Sequence, residues 1–201
     1  MANYFTSDWH IGELAAQNTH SLLRPKPTEI MANSWLTQCH RTLEPHDTLY
    51  ILGDLAITLD DLWFYGRLPK CNKHIILGDK ETNSTFTTFE WGRELTAIQL
   101  AHDPENCWCV SKYWEVDIDG ISFCLTHKPV DCMGFALAKP GICGHVHGIW
   151  RTQCMPNGES IINVSIDAWG GIVSEEMIIH QYNAIKKGYY DKNARVDQWK
   201  D

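Results

Sequence analysis

The sequence predicts an α/β fold whose first half alternates strands with helices and whose second half consists mainly of strands. Three observations support this prediction. Short apolar runs end repeatedly at a glycine or a polar residue, as buried strands do. Helix-like stretches separate the early runs, whereas the later runs follow one another without long helices. We therefore expect a mixed sheet, or two packed sheets, with the helices outside.

Eight short segments have the composition and spacing of strands. The clearest helix begins at Thr28, a favourable N-cap, and ends near Leu43 because Pro45 cannot continue it. Asp119-Gly120 joins two of the strand segments and predicts a tight β-hairpin. The predicted strands cover residues 4–7, 48–52, 74–77, 114–117, 121–125, 141–143, 161–164 and 177–179.

Length and composition indicate one globular domain, residues 1–201, with a polar C-terminal tail from about residue 186 to 201. The net charge of −8, from 25 acidic and 17 basic residues, disfavours binding to extended nucleic acid, which requires a basic surface. The first residues lack a secretory signal pattern, and no run of about 18 apolar residues occurs. We therefore expect a cytoplasmic protein without a membrane partner.

The eight cysteines are scattered along the chain and include no Cys-x-x-Cys pair, which favours reduced, partly buried thiols over a disulfide framework. Cys107-x-Cys109 has the composition of half a soft-metal site, but no second pair accompanies it. We assign no function to these two cysteines.

Four short segments place histidine or aspartate directly after apolar runs: Asp8-x-His10, Gly53-Asp54, Thr126-His127 and His145-x-His147. In an α/β sheet, loops at the carboxyl ends of the strands converge on one crevice, so these residues are able to share a site. If strand geometry persists beyond Ser7, Asp8 and His10 point to the same face, and His145 and His147 repeat that arrangement. Imidazoles and carboxylates without thiolates suit manganese, iron, nickel or zinc.

Each of these segments alone has an ordinary structural explanation. A Gly-Asp pair after a strand is often a turn, and a single histidine is most often a satisfied structural residue. Four such segments, each after a predicted strand, favour a metal site. The opposing interpretation, coincidence without a metal, predicts that the protein binds no stoichiometric manganese, nickel or zinc.

The same segments, in this order and with this rough spacing, resemble the calcineurin-like metallophosphoesterase family over residues 4 to 147. Arg24-Pro25, His127-x-Pro129 and residues 163–169 extend the similarity to the family's small bacterial and phage members, so that it covers most of the chain. The resemblance implies a four-layer αββα sandwich, in which two mixed β-sheets lie back to back between helices. If the protein is phage-encoded, its expected location is the host cytoplasm.

The resemblance also implies a dinuclear metal centre at the strand ends, in which two divalent ions clamp phosphoryl oxygens and activate a bridging water. Manganese is the expected metal, with iron, nickel or zinc as alternatives. The implied function is hydrolysis of a phosphomonoester or phosphodiester, such as a nucleotide or another small phosphorylated compound. Catalysis would involve Asp54, His127 and the residue at position 80. The implied ligands are Asp8, His10 and His147 at the first metal, His127, His145 and Asp79 at the second, and Asp54 as the bridge.

One segment departs from the family pattern, because Gly78-Asp79-Lys80-Glu81 stands in place of Gly-Asn-His followed by Asp or Glu. A carboxylate can replace an amide oxygen at a divalent ion, so Asp79 remains a candidate ligand. Lys80, with a reference pKa of about 10.4 against about 6.5 for histidine, is a poor proton donor near neutral pH. We expect it to neutralise phosphate charge, and we interpret Asp79 and Lys80 as a charge-compensating pair. A salt bridge from Lys80 to a nearby carboxylate explains its presence equally well.

Loss of a positioned acid typically lowers a rate by ~10²–10⁴, so we expect weak activity or a preference for good leaving groups. Two further residues have alternative interpretations. Glu13, where related sequences often have histidine, is favoured as a solvated loop carboxylate over a substrate-side group. Arg24 is a candidate bidentate donor to the substrate phosphate, with a loop salt bridge as the alternative. The competing function is a degenerate family member that keeps the fold but acts as a binding or regulatory protein.

Overall fold

The strands form two five-stranded sheets, and both sheets are mixed. A computed structural model of the chain describes residues 1–13, 24, 28–82, 86–135, 139–155 and 157–189. In the first sheet the order is β10-β1-β2-β3-β4, with β1 to β4 parallel and β10 antiparallel to β1. Its strands are β1 (Asn3–Thr6), β2 (Thr48–Leu52), β3 (Asn72–Ile76), β4 (Trp108–Ser111) and β10 (Val173–Ser174).

The second sheet has the order β5-β6-β7-β9-β8. Its central strands β6, β7 and β9 are parallel, and an antiparallel strand flanks them on each side. The β5–β6 hairpin turns at Asp119-Gly120, whose φ angles of 54° and 75° fit the tight turn predicted there. The strands are β5 (Trp114–Ile118), β6 (Ile121–Leu125), β7 (Gly141–Cys143), β8 (Thr152–Cys154) and β9 (Ser160–Asn163).

The described helices lie mainly on the outer faces of the sheets. Buried side chains of α1, α3 and a 3-10 helix pack against Leu49, Ile51 and Ile75 of the first sheet. A short helix, α4, contacts β6 and β7 of the second sheet. The helices are α1 (Thr28–Thr42), α2 (Asp79–Thr82), α3 (Thr88–His102), α4 (Pro129–Phe135), α5 (Ile166–Trp169) and α6 (Glu175–Lys186), and the 3-10 helix is Asp60–Arg67.

A second apolar core lies between the sheets. Phe5, Leu52 and Ile76 of the first sheet belong to the same buried cluster as Phe123 and Ile162 of the second. Strands buried on both faces account for the continuous apolar runs of the sequence. The helices on the first sheet, the two mixed sheets and the short helix α4 on the second sheet together confirm the predicted α/β sandwich.

Most predicted strands are present, and three have the expected limits: β2, β6 and β7. The strand predicted at residues 177–179 is wrong, because these residues belong to α6. Ser174 caps that helix by accepting a hydrogen bond from the Met177 amide, and two acidic residues follow in the first turn. A short apolar run cannot by itself distinguish a strand from a buried helix face.

Three further predictions concern the limits of the domain, the cysteines and membrane-spanning helices. The 1–201 domain limits stay a prediction, and most of the predicted tail, residues 190–201, lies outside the described residues, as does Pro25. All eight cysteines are free thiols, five of them buried. In the described ranges, no helix has the length and apolar character that a membrane crossing requires.

Candidate metal centre

The first loop of the site departs from strand geometry directly after β1. Asp8 and His10 have φ angles of 59° and 51°, so the expectation that extended geometry continues past Ser7 is wrong. Backbone hydrogen bonds instead fix this loop to the next one: the Asp8 amide donates to Gly53 O (3.1 Å) and the His10 amide to Asp54 O (3.0 Å). Trp9 turns away and is fully buried against Trp35. The two ligand-type side chains still share one side of the loop.

The same left-handed backbone occurs in the other site loops. Asp54, His145 and His147 have φ angles of 50°, 72° and 48°. Non-glycine residues rarely adopt this conformation, and each costs about 1–3 kcal/mol unless the surrounding structure enforces it. Five such residues in one small region indicate that the fold maintains this arrangement against a local backbone cost.

Gly53 has a packing reason to lack a side chain. Its φ is +79°, and a Cβ built there would lie 2.6 Å from both Gly78 Cα and His127 Nδ1. The loop after β2 therefore contacts the loop after β3 and a candidate ligand with no space between them. Any larger residue at position 53 would displace one of these neighbours.

Loops that follow five of the strands (β1, β2, β3, β6 and β7) bring seven histidine and aspartate side chains together in three overlapping groups. Within each group the potential ligand atoms lie within 4.8 Å of one another. The third group shares Asp8 with the first and His127 with the second, so the groups form one continuous cluster. The groups are Asp8, His10 and His147; Asp79, His127 and His145; and Asp8, Asp54 and His127.

Asp54 lies between two histidines that belong to different groups. Its Oδ2 lies 3.5 Å from His10 Nε2 and its Oδ1 lies 3.4 Å from His127 Nε2. Both Nε2 atoms are buried, and neither forms a hydrogen bond with any described residue. Buried polar atoms normally have a partner, so these two nitrogens fit a pair of cations on either side of Asp54. The residues present therefore suit a dinuclear centre.

The opposite ring nitrogens of the histidines have protein partners. Glu13 Oε2 lies 2.5 Å from His10 Nδ1, Asp167 Oδ2 lies 2.6 Å from His147 Nδ1, and Leu52 O accepts from His127 Nδ1 (2.8 Å). A carboxylate or carbonyl on one ring nitrogen fixes the ring and leaves the other nitrogen to bind a metal. Each of these three histidines therefore presents Nε2 to the site.

Glu13 is not a solvated loop carboxylate, contrary to the favoured expectation. Its side chain is only 12% exposed and lies between His10 and the Lys80 ammonium group, which donates to Glu13 Oε1 (2.9 Å). Burial raises the pKa of Glu13, but the hydrogen bonds from His10 and Lys80 have the larger combined effect and lower the pKa to about 2. Glu13 thus connects a candidate metal ligand to the unusual lysine.

Lys80 and Asp79 each pair with a different residue and not with one another. Lys80 pairs with Glu13, whereas Asp79 Oδ2 accepts from Lys128 Nζ (2.9 Å) and lies 3.5 Å from His145 Nδ1. The charge added by aspartate at position 79 is therefore offset by Lys128. The Lys80 backbone amide donates to Asp54 Oδ1 (2.9 Å), so position 80 also orients the central carboxylate.

Glu81 fixes two of the site loops to each other. Its fully buried carboxylate accepts hydrogen bonds from the backbone amides of Asp54 (3.1 Å), Leu55 (2.8 Å) and Gly78 (2.6 Å). Burial and the nearby Asp54 charge raise its pKa, whereas the backbone donors act in the opposite direction. Glu81 thereby sets the position of Asp54 relative to the Gly78 loop.

Asp8 connects the first and last loops of the site. Its carboxylate accepts from Ser7 Oγ (2.7 Å) and from the His145 amide (3.0 and 3.1 Å). Burial raises the pKa of Asp8, but the charges of His147, His127 and His10 lower it more, to about 2. Asp8 is thus an anion at the centre of the histidine cluster, as a metal ligand must be.

Arg24 lies behind the site. Its guanidinium donates to both carboxylate oxygens of Asp167 (2.8 and 3.0 Å) and to the backbone carbonyls of Asp8 and Trp9, and its side chain is fully buried. The structure therefore has the loop salt bridge that was the alternative to substrate binding. Asp167 in turn contacts His147, so Arg24 acts on the site through this carboxylate.

Sequence reasoning assigned no role to Glu81, Lys128 or Asp167. Residues 163–169 carried part of the resemblance, and Glu81 closed the Gly78 segment, so both regions gave a signal without a function. Lys128 gave none, because a lysine after a predicted ligand has no distinctive pattern. The missed residues are those that orient ligands and do not face the cluster.

The fold and the site define this chain as a two-sheet α/β sandwich protein with a histidine and aspartate cluster, able to hold metal ions, at the carboxyl ends of its strands. No family model matches the sequence, and no curated protein does. A protein of unknown function from Aquifex aeolicus is similar in structure, with a TM-score of 0.64 and 22% identity, over 89% of this chain and 98% of that one.

Two solved structures with stated activities share the fold. An archaeal phosphodiesterase is 18% identical over 81% of this chain and 82% of its own, with a TM-score of 0.50. The phosphopantetheinyl hydrolase of Mycobacterium tuberculosis is 12% identical over 82% of this chain and 88% of its own, also with a TM-score of 0.50. At these identities the likeness establishes a common fold.

Proposed function

We propose that this protein is a metal-dependent phosphoesterase that hydrolyses a small phosphorylated compound, such as a nucleotide. The observation that carries the proposal is the position of Asp54 between the buried Nε2 atoms of His10 and His127, which have no hydrogen bond among the described residues. Two proteins of this fold bear the names phosphodiesterase and phosphopantetheinyl hydrolase, which is compatible with this chemistry.

In this proposal seven residues would hold two divalent ions, and Asp54 would contribute to both. When bound, the ions supply a Lewis-acid centre that lowers the pKa of water and offsets negative charge on phosphoryl oxygens. Manganese is our first choice of metal, and iron, nickel or zinc would also suit imidazole and carboxylate ligands. The proposed ligands are Asp8, His10 and His147 at one ion, Asp79, His127 and His145 at the other, and Asp54 at both.

The protein's own groups prepare the site before substrate arrives. Glu13, Asp167 and the Leu52 carbonyl each accept from, or pair with, one histidine ring nitrogen, so the rings need no reorientation. The Glu81 carboxylate and the Lys80 amide fix the Asp54 loop and its side chain. Pre-organised ligands of this kind reduce the cost of ordering at the moment of binding.

Lys80 supplies positive charge and not a proton in this proposal. Burial lowers its pKa, but the hydrogen bond and charge of Glu13, with the charges of Asp54 and Asp79, raise it above the ordinary lysine value. Its side chain is 35% exposed beside the candidate metal cluster, where an ammonium group can attract an anionic substrate. The best substrates are therefore esters whose leaving group departs without protonation.

The test combines metal content with turnover in one protein preparation. Wild-type protein is loaded with manganese, its bound metal is measured, and it is assayed on phosphomonoesters, cyclic nucleotides and dinucleotides. We expect about two metal ions per chain and hydrolysis of at least one class. Asp54→Asn is expected to lose both, whereas Asp60→Asn, at an exposed aspartate outside the candidate ligand groups, serves as the matched control. Bound metal without turnover under any tested metal would instead support a binding or regulatory protein.

A further inference from the structure

A small cavity adjoins the candidate metal centre on the side of Asp79 and His127. Its volume is about 260 Å³, below the roughly 300–1,000 Å³ of pockets that bury drug-sized ligands. It is therefore suited to a compact group and not to a whole nucleoside. Its polar lining consists of Asp79, Thr82, Lys112, His127, Lys128 and Asp131.

The backbone places Lys112 beside this cavity. Lys112 follows the end of β4, and the Leu77 amide donates to Ser111 O (2.8 Å), which joins the end of β4 to the loop that carries Asp79. Asp79 and His127 line the cavity and also belong to one group of potential metal ligands. A substrate whose phosphate lies at the metal cluster can therefore extend directly into the cavity.

The two lysines of the cavity differ in their partners. Lys128 is paired with Asp79 at 2.9 Å, so its charge is already offset. Lys112 is exposed, and it forms no ion pair with any residue in the described part of the chain. Asp131, which is also exposed and lines the cavity, contributes the opposing charge. Lys112 is consequently the cation that an incoming anion would meet.

We infer that this cavity binds a second anionic group of the substrate, a phosphate, phosphonate or carboxylate, with Lys112 as its main partner. The inference rests on the proposed phosphoesterase function and narrows its substrate class to phosphate esters whose remaining part carries another negative charge close to the scissile phosphate. The charge of Asp131 limits how deeply that group enters. Lys112 is thus a specificity-determining residue for the proposed reaction.

Two matched esters test the inference: 3-(phosphonomethyl)phenyl phosphate and its neutral counterpart 3-(hydroxymethyl)phenyl phosphate. We expect wild-type protein to prefer the phosphonate ester by roughly tenfold in kcat/KM, the magnitude of one charge-assisted hydrogen bond. Lys112→Ala should remove most of this preference, and Asp131→Asn should increase it. Lys70→Ala, which removes an exposed lysine elsewhere, should retain the wild-type ratio.

A binding measurement separates this inference from the proposed function. Calorimetric titration with the product 3-(phosphonomethyl)phenol should give a dissociation constant that rises roughly tenfold in Lys112→Ala. If both esters are hydrolysed and the ratio of their kcat/KM values is the same in wild type and Lys112→Ala, the cavity assignment is overturned. The phosphoesterase proposal then still stands. Lys112-dependent binding of the product without turnover of any ester would support the cavity and contradict the phosphoesterase proposal.

Discussion

Lys80 Nζ lies 2.9 Å from Glu13 Oε1, which joins the two residues that depart from the family pattern that the sequence resembles. The other oxygen of Glu13 lies 2.5 Å from His10 Nδ1, so the pair is connected to a candidate metal ligand. A carboxylate partner stabilises the ammonium form of lysine, and the pKa of Lys80 is accordingly raised. The two residues thus form one ion pair, which keeps the Lys80 ammonium group protonated beside the candidate metal ligands.

Replacing Lys80 by histidine should change how the rate depends on the leaving group. Wild-type rates on a series of aryl phosphates are expected to fall steeply as the leaving-group pKa rises, because Lys80 retains its proton. Lys80→His should flatten that slope and increase the rate on poor leaving groups by about tenfold or more. Lys80→Met, which removes the charge without adding an acid, is the control and should stay as steep as wild type. Equal slopes for wild type and Lys80→His would contradict the assignment.

Glu13→Gln should weaken metal binding without loss of any ligand atom. The amide presents less negative charge to His10 Nδ1 and cannot form an ion pair with Lys80. Loss of such a supporting group typically lowers metal affinity by roughly 10–100-fold. Manganese titration followed by calorimetry measures the change directly. Glu105→Gln, at an exposed position, should leave the affinity as it is. An unchanged dissociation constant in Glu13→Gln would show that Glu13 does not support His10.

Arg24→Met should destabilise the fold by about 3–5 kcal/mol, because it leaves Asp167 as an uncompensated buried charge. The free energy of unfolding in urea measures this loss. The double variant Arg24→Met/Asp167→Asn should lose less than the sum of the single variants. Arg67→Met removes an exposed guanidinium that contacts Asn33 and should cost less than about 0.5 kcal/mol. If Arg24→Met instead raises KM and leaves the free energy of unfolding unchanged, Arg24 binds the substrate and is not a structural residue.

His74 should make the fold less stable in mild acid. It is buried between the rings of Tyr50 and Trp114, and burial lowers its pKa to about 4. The unfolded chain, with a histidine pKa of about 6.5, binds a proton first as the pH falls. The contribution of neutral His74 is therefore fully present above pH ~6.5 and is lost as the pH falls toward about 4.

The measurement compares metal-free wild-type protein with His74→Phe, which keeps an aromatic ring but cannot titrate. Urea unfolding between pH 7.5 and 5 should show a steeper loss of stability in wild type than in the variant. His180→Phe, at an exposed position of α6, should follow the wild-type curve. Parallel pH dependence for wild type and His74→Phe would show that another group causes the acid sensitivity.

The sequence predicted the sheet strands well because burial on both faces produces continuous apolar runs. β2, β6 and β7 have the predicted limits, since a polar residue or glycine ends each run at the site. The region 177–179 failed because three apolar residues fit a helix face as well as a strand. There the capping serine at position 174 was the more informative signal.

The candidate site was predictable as a set of residues but not as a geometry. A prediction from sequence periodicity assumes that the strands remain regular up to the site. Asp8, His10 and Asp54 instead adopt a left-handed backbone, and hydrogen bonds between their two loops hold it in place. The roles of Glu13 and Lys128 depend on contacts between distant segments. Such contacts leave no local pattern in the sequence, so only the assembled fold reveals them.

The bond between the His145 amide and the Asp8 carboxylate joins residues 137 positions apart. Closing so long a loop costs conformational entropy before any contact repays it, so this connection is expected among the last to form during folding. During synthesis, Asp8 leaves the ribosome long before the strand that precedes His145 exists. The proposed metal binding should therefore require the completely folded chain. A nascent chain that ends before β7 should bind manganese far more weakly than the full chain does.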